Sequence, residues 1–133
     1  MFTTRRLGAM VAVIAAALFF ASCSPIDLVC NSARPVPVIA TITPSSATFA
    51  DVQASLTLTV DGSKFVSSSI IELNGAPLAT TVVSATRLQA TITTTQIAAP
   101  GTAKISVHTP SNLSGDLGCT SGGDSASLTL TVT

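Results

Sequence analysis

Leu56-Thr57-Leu58-Thr59-Val60-Asp61-Gly62-Ser63-Lys64-Phe65 is the stretch that decides the fold. Leu56, Leu58 and Val60 fall on one face and Thr57 and Thr59 on the other, because strand side chains alternate with period two. Threonine and valine are β-branched and suit a pleated surface better than a helix. Asp61-Gly62 then reads as a turn.

The same grammar extends in both directions. Upstream, Val38 to Thr43 forms a first strand, stopped by Pro44-Ser45-Ser46. Downstream, Ser69 to Leu73 is a strand, and Asn74-Gly75 is the strongest hairpin signal, since a type I′ turn needs positive φ at both central residues. Leu78 to Val83 is expected to return from that hairpin. Arg87 to Ile92 alternates, and Ile97 to Gly101 turns. Ala103 to His108 points Ala103, Ile105 and Val107 inward, and Ser127 to Val132 ends the chain. Turn signals at intervals of roughly 8–15 residues predict an all-β sandwich. No 11-residue window beyond residue 22 shows a helical period, so no helix is expected.

The first 22 residues differ. Arg5 and Arg6 precede an uncharged apolar run of 14 residues from Leu7 to Phe20, followed by Ala21-Ser22. That is the layout of a signal peptide. The run is shorter than the roughly 20 residues a membrane-spanning helix needs. Residues 23–36 carry prolines and no periodicity, and read as a tether.

Phe20-Ala21-Ser22-Cys23 resembles a bacterial lipobox, with Phe20 where the family prefers leucine. The resemblance implies that Cys23 carries lipid, becomes the new N-terminus and anchors the chain to a membrane surface. Ordinary cleavage nearby, with release into the periplasm or medium, is the alternative. Ser24 is not the aspartate associated with inner-membrane retention, which favours the outer membrane.

Residues 37–133 resemble an IPT/TIG domain, an immunoglobulin-like Greek-key sandwich of about seven strands. The resemblance rests on Ile42-Thr43-Pro44-Ser45-Ser46-Ala47, the strand-Gly-x-x-Phe of Gly62 and Phe65, and the strand and hairpin from Ile71 to Leu78. It continues through Thr86 to Ile92, Pro100-Gly101-Thr102-Ala103, Thr109-Pro110 and Gly122-Gly123. It covers 97 of the 111 residues that follow the signal peptide. A longer connection, Ser111 to Cys119, departs from the family.

In such a sandwich the start of the first strand and the loop before the last strand share a pole. Cys30 and Cys119 flank those positions, so the fold and an oxidising compartment together imply a disulfide between them. Closing so long a loop stabilises by about 4–5 kcal/mol in the chain-entropy model. Redox-active or intermolecular cysteines are the alternative.

Composition limits the remaining functions. The 133 residues contain one histidine, no tryptophan and no tyrosine. After residue 22, Arg34, Lys64, Arg87 and Lys104 face six carboxylates, giving a net charge of −2 and no basic stripe for nucleic acid. His108 is expected to point outward from its strand and be solvated. Asp116 and Asp124 lack calcium-loop spacing and suit turns. Gly122-Gly123 is expected to lead into the final strand, and Phe65 to plug the core, with Phe49 either core or surface. Asn112-Leu113-Ser114 is formally a glycosylation sequon, incidental in a bacterial lipoprotein. No nucleophile–base–orienter set can be assembled, so no enzyme, cofactor or metal site is expected. The expectation is a lipid-anchored cell-envelope module that acts as spacer or binds an envelope protein. A carbohydrate-binding module is the alternative, disfavoured by the two remaining aromatics, Phe49 and Phe65.

Overall fold

The computed structural model describes residues 34–111 and 122–133. Ten strands and one short helix follow in the order β1 (Val38–Thr43), β2 (Ser46–Ala47), α1 (Phe49–Gln53), β3 (Leu56–Ser63), β4 (Ile70–Leu73), β5 (Ala76–Pro77), β6 (Thr80–Ser84), β7 (Arg87–Ile92), β8 (Gly101–Thr109), β9 (Gly123–Asp124) and β10 (Leu128–Val132). Seven have four or more residues, and β2, β5 and β9 have two each. One sheet has the order β1-β3-β7-β6; the other runs β2-β10-β8-β4-β5, with β9 also on β8. Neighbours are antiparallel except β2 and β10. The connections β3 to β4, β5 to β6 and β7 to β8 each change sheet, which is the Greek-key pattern of an immunoglobulin-like sandwich.

Alternation along each strand supplies the core. Leu58 and Val60 of β3 face inward with Leu88, Ala90 and Ile92 of β7. From the other sheet come Ile71 and Leu73, Ala103, Ile105 and Val107, and Leu130 and Val132. Leu58, Leu88, Ile92, Ile71, Ile105 and Leu130 are fully buried. Each such side chain contributes about 1.5–3 kcal/mol relative to an exposed one.

Three expectations need correction. Asp61-Gly62 is not a turn, because β3 runs on through Ser63. Asp61 lies opposite Thr41 on one side and Arg87 on the other, and Gly62 lies opposite Ile39. Pairing on both sides overrides the local turn preference of Asp-Gly. The return from the hairpin is likewise only Ala76–Pro77, not Leu78 to Val83. Pro77 has no N–H to extend the ladder, and the chain crosses to the other sheet as β6. At the crossing, Leu78 N donates to Ile71 O (2.8 Å), and the Thr80 hydroxyl accepts from Ile71 N (2.9 Å).

The third correction is α1. Thr48 caps it by accepting from Asp51 N (3.2 Å), while Asp51 Oδ2 accepts from Thr48 N (2.8 Å), a reciprocal capping box. Bonds from the Thr48 side chain and backbone hold the Asp51 carboxyl below its ordinary range. A lowered carboxylate pKa means this contribution is complete above the ordinary aspartate range and fades as pH falls through the lowered value. Phe49 N donates to Thr133 O (2.7 Å), and the Phe49 ring packs against the core.

Gly62 and Phe65 form a contact unit. Phe65 is 3% exposed. A Cβ added at Gly62 would strike the Val38 carbonyl oxygen and lie 2.7 Å from Phe65 Cζ. The chain reaches Phe65 through Lys64, whose φ of 62° is left-handed. Gly62→Ala is therefore expected to destabilise the domain by about 1–3 kcal/mol, read as a lower urea midpoint at unchanged slope.

Candidate functional site

A polar arrangement lies at the end of the sandwich where the β3–β4 loop, the end of β8 and the chain ahead of β1 converge. Arg34 Nη1 donates to Pro110 O (2.9 Å), and Gly122 N donates to Arg34 O (2.7 Å). One residue thus holds both ends of the connection between β8 and β9. Gly122 has φ 69°, and a Cβ there would strike the Thr109 carbonyl oxygen. Only glycine combines that conformation with that approach.

Beside this clasp, Ser69 Oγ accepts from Val66 N (2.9 Å) and shares a hydrogen bond with Thr109 Oγ1 (2.9 Å). Both side chains are buried. The pair fixes the β3–β4 loop to the end of β8. Between that loop and the β5–β6 crossing lies a groove of about 580 Å³, walled by Ser67, Ser68, Ser69, Pro77, Thr80 and Pro110. Ile70, Leu78 and Ala79 complete its lining, so none of the groups that face it is charged. Ser68 Oγ is buried without a hydrogen-bond partner.

His108 is not a solitary solvated side chain. It points outward from β8, but its Nδ1 lies 2.5 Å from Asp124 Oδ1 on β9, directly across the ladder. His108 is 37% and Asp124 68% exposed. Asp124 is therefore a strand residue and not merely turn chemistry. Gly122-Gly123 does not lead straight into β10: Gly123 pairs with Thr109. An imidazole oriented by a carboxylate supplies two members of a nucleophile-activating set. Among the described residues no hydroxyl is hydrogen-bonded to His108, and no group of three histidine, cysteine, aspartate or glutamate side chains could hold a metal.

Asn74 and Gly75 have φ of 53° and 82° and join Leu73 to Ala76. Asn74 is also bound to the backbone of Lys104, donating from its N (2.8 Å) and accepting at Oδ1 (2.8 Å). It lengthens the β4–β8 seam as well as turning the chain. Cys23, Cys30, Cys119, Asn112 and Asp116 lie outside the described residues, as does the whole signal segment. No helix among the described residues is long and apolar enough to cross a membrane. The Arg34 clasp and the His108–Asp124 pair escape sequence reasoning; the doublet of glycines before Asp124 is their one local trace.

No family model and no curated protein matches the chain. Among solved structures it is similar to an auxiliary nutrient binding protein from Bacteroides ovatus, at 13% identity and a TM-score of 0.49, over 75% of this chain and 21% of that one. It is also similar to a candidate phosphatase from Bacteroides thetaiotaomicron, at 18% identity and a TM-score of 0.46, over 74% of this chain and 18% of that one. The chain therefore spans about a fifth of the length of each.

Thr109→Val removes one partner of a buried hydroxyl pair while keeping its shape. It is expected to cost about 1–3 kcal/mol, measured by chemical denaturation, with faster hydrogen exchange at Ser69.

Proposed function

We propose that this chain is a non-catalytic cell-envelope module of the IPT/TIG type that binds a protein partner. In this reading residues 1–22 direct export, Cys23 carries the lipid, and residues 23–36 link the anchor to the sandwich of residues 37–133. The observation that carries the binding role is the uncharged groove between the β3–β4 loop and the β5–β6 crossing. One of its walls is locked by the Ser69–Thr109 pair. Preformed walls lower the ordering cost of binding, and loops at one end of such a sandwich are the positions where immunoglobulin-like domains build recognition surfaces.

The groove selects a neutral partner segment, since burying a charge against walls with no counter-charge is costly. Its serine and threonine hydroxyls also favour a second reading, a carbohydrate ligand. The placement of the aromatic rings among the described residues weighs against that, because Phe65 is in the core and Phe49 is packed against it.

Ala79 is exposed at the rim of the groove, so Ala79→Arg blocks it without disturbing the core. The expected outcome is that envelope protein crosslinked to the wild-type chain is lost in A79R, and that a glycan array gives no signal. Capture unaffected by A79R would sink the groove as the binding surface. Cys23→Ser is expected to move the chain from the membrane to the soluble fraction.

The disulfide between Cys30 and Cys119 belongs to the same proposal. Arg34, four residues after Cys30, is hydrogen-bonded to Gly122, three residues after Cys119. Segments this short reach at most about 10–14 Å each, so a bridge between them needs no rearrangement of the strands. Mass spectrometry of the non-reduced exported chain is expected to find neither Cys30 nor Cys119 free, and two free thiols would refute the bridge.

A further inference from the structure

The sequence has three asparagines, and Asn74 is the one followed by glycine. The carboxamide carbon of an asparagine, Cγ, is open to attack by the main-chain nitrogen of the next residue. Glycine leaves that nitrogen unshielded, since it has no Cβ. A Cβ built at Gly75 would meet nothing within 4 Å. Asn74 and Gly75 are both exposed, so water reaches the bond between them.

The folded turn holds the reacting groups apart. Ring closure requires the Gly75 nitrogen to lie on the same side of the Asn74 Cα–C bond as Cβ. Asn74 and Gly75 have left-handed φ of 53° and 82° and join the paired residues Leu73 and Ala76, which is a type I′ turn. In that turn ψ of the first residue is about +30°, which for an L-residue sets the following nitrogen nearly opposite Cβ. The side chain is pinned as well. Asn74 Oδ1 accepts from Lys104 N, and Asn74 N donates to Lys104 O, each at 2.8 Å. Cγ stays directed at β8 while those bonds last.

We propose that Asn74 is a modification site gated by the fold, and that its conversion records the opening of the β4–β5 hairpin away from β8. In the open chain the Gly75 nitrogen gives up its proton and bonds to Asn74 Cγ. The Cγ–Nδ2 bond breaks, and Nδ2 leaves as ammonia with one added proton, so a five-membered succinimide remains. Water then adds to one of the two ring carbonyls and breaks that carbonyl's bond to nitrogen. Opening at Cγ gives aspartate; opening at the Asn74 main-chain carbonyl gives isoaspartate, whose main chain runs through Cβ and Cγ. No electron is transferred, and water is the only co-reactant. Aspartate keeps an oxygen that can accept from Lys104 N, so the seam re-forms. Isoaspartate adds one main-chain atom to a turn whose length fixes the register of its strands. β5 is held to β4 only by the pairs Glu72–Pro77 and Leu73–Ala76, so that product releases it.

The test is peptide mapping by mass spectrometry of the detergent-solubilised full chain. It is aged at one mildly alkaline pH, natively and in urea above its unfolding midpoint. Where conversion needs opening, the native rate is the unfolded rate multiplied by the open fraction. Asn74 is expected to convert at least about tenfold more slowly in the native chain than in urea, with isoaspartate and aspartate both formed in urea. Ala76→Pro removes the N–H of the residue that closes the turn and disfavours the turn conformation of Gly75 ahead of it, while both reacting residues stay in place. It is expected to raise the native rate at least about threefold and leave the rate in urea unchanged; circular dichroism checks that A76P keeps its sheets. Equal rates in the native and unfolded wild type, no conversion in urea, or a folded A76P as slow as wild type would each overturn the proposal. Should A76P not fold, the comparison of native with unfolded wild type decides alone. None of these outcomes depends on the groove or on the lipid.

Discussion

Everything in this sandwich depends on two sheets meeting through aliphatic side chains with almost no aromatic help. Among the described residues Phe65 is the one aromatic ring in the buried core, and it is seated by Gly62. Leucine, isoleucine and valine from six strands supply most of the rest, and such side chains fill space only when each is in its own register. A slip of one residue in β3 or β10 exchanges buried Leu58 or Leu130 for a threonine. The hydroxyl-bearing outer faces therefore help to define the fold, because they make every alternative register costly.

That constraint explains what was legible. Strict alternation in Leu56–Val60, Arg87–Ile92 and Ala103–Val107 names the strands, and the inward face follows from the same pattern. The errors occur where a local signal competes with a distant partner. Asp61-Gly62 has turn chemistry, yet lies between two neighbours that hold it extended. The five residues of α1 complete fewer than two turns, too few for a periodicity; its mark is the Thr48-x-x-Asp51 cap. The site was harder still to read. Arg34 and Pro110 are 76 positions apart, and nothing local to either residue points to the other. His108 and Asp124 meet because two glycines let the chain fold back beside β8 as a two-residue strand.

Polar chemistry in this molecule is mostly used for holding. The Ser69–Thr109 hydroxyls fix a loop, Asn74 extends a seam and Asp51 closes a helix cap. Even the histidine–carboxylate pair spans two strands. The groove between the β3–β4 loop and the β5–β6 crossing is left with neutral walls.

The Arg34 clasp also sets how the domain would bear tension. A pull on the chain ahead of Arg34 does not reach the β1–β3 ladder first. It meets the bonds to Pro110 and Gly122, which lead into the β8 and β9 segments of the opposite sheet. Force is thereby shared between both layers before any strand can peel, and the clasp acts as strain relief at the point where a cable enters its housing.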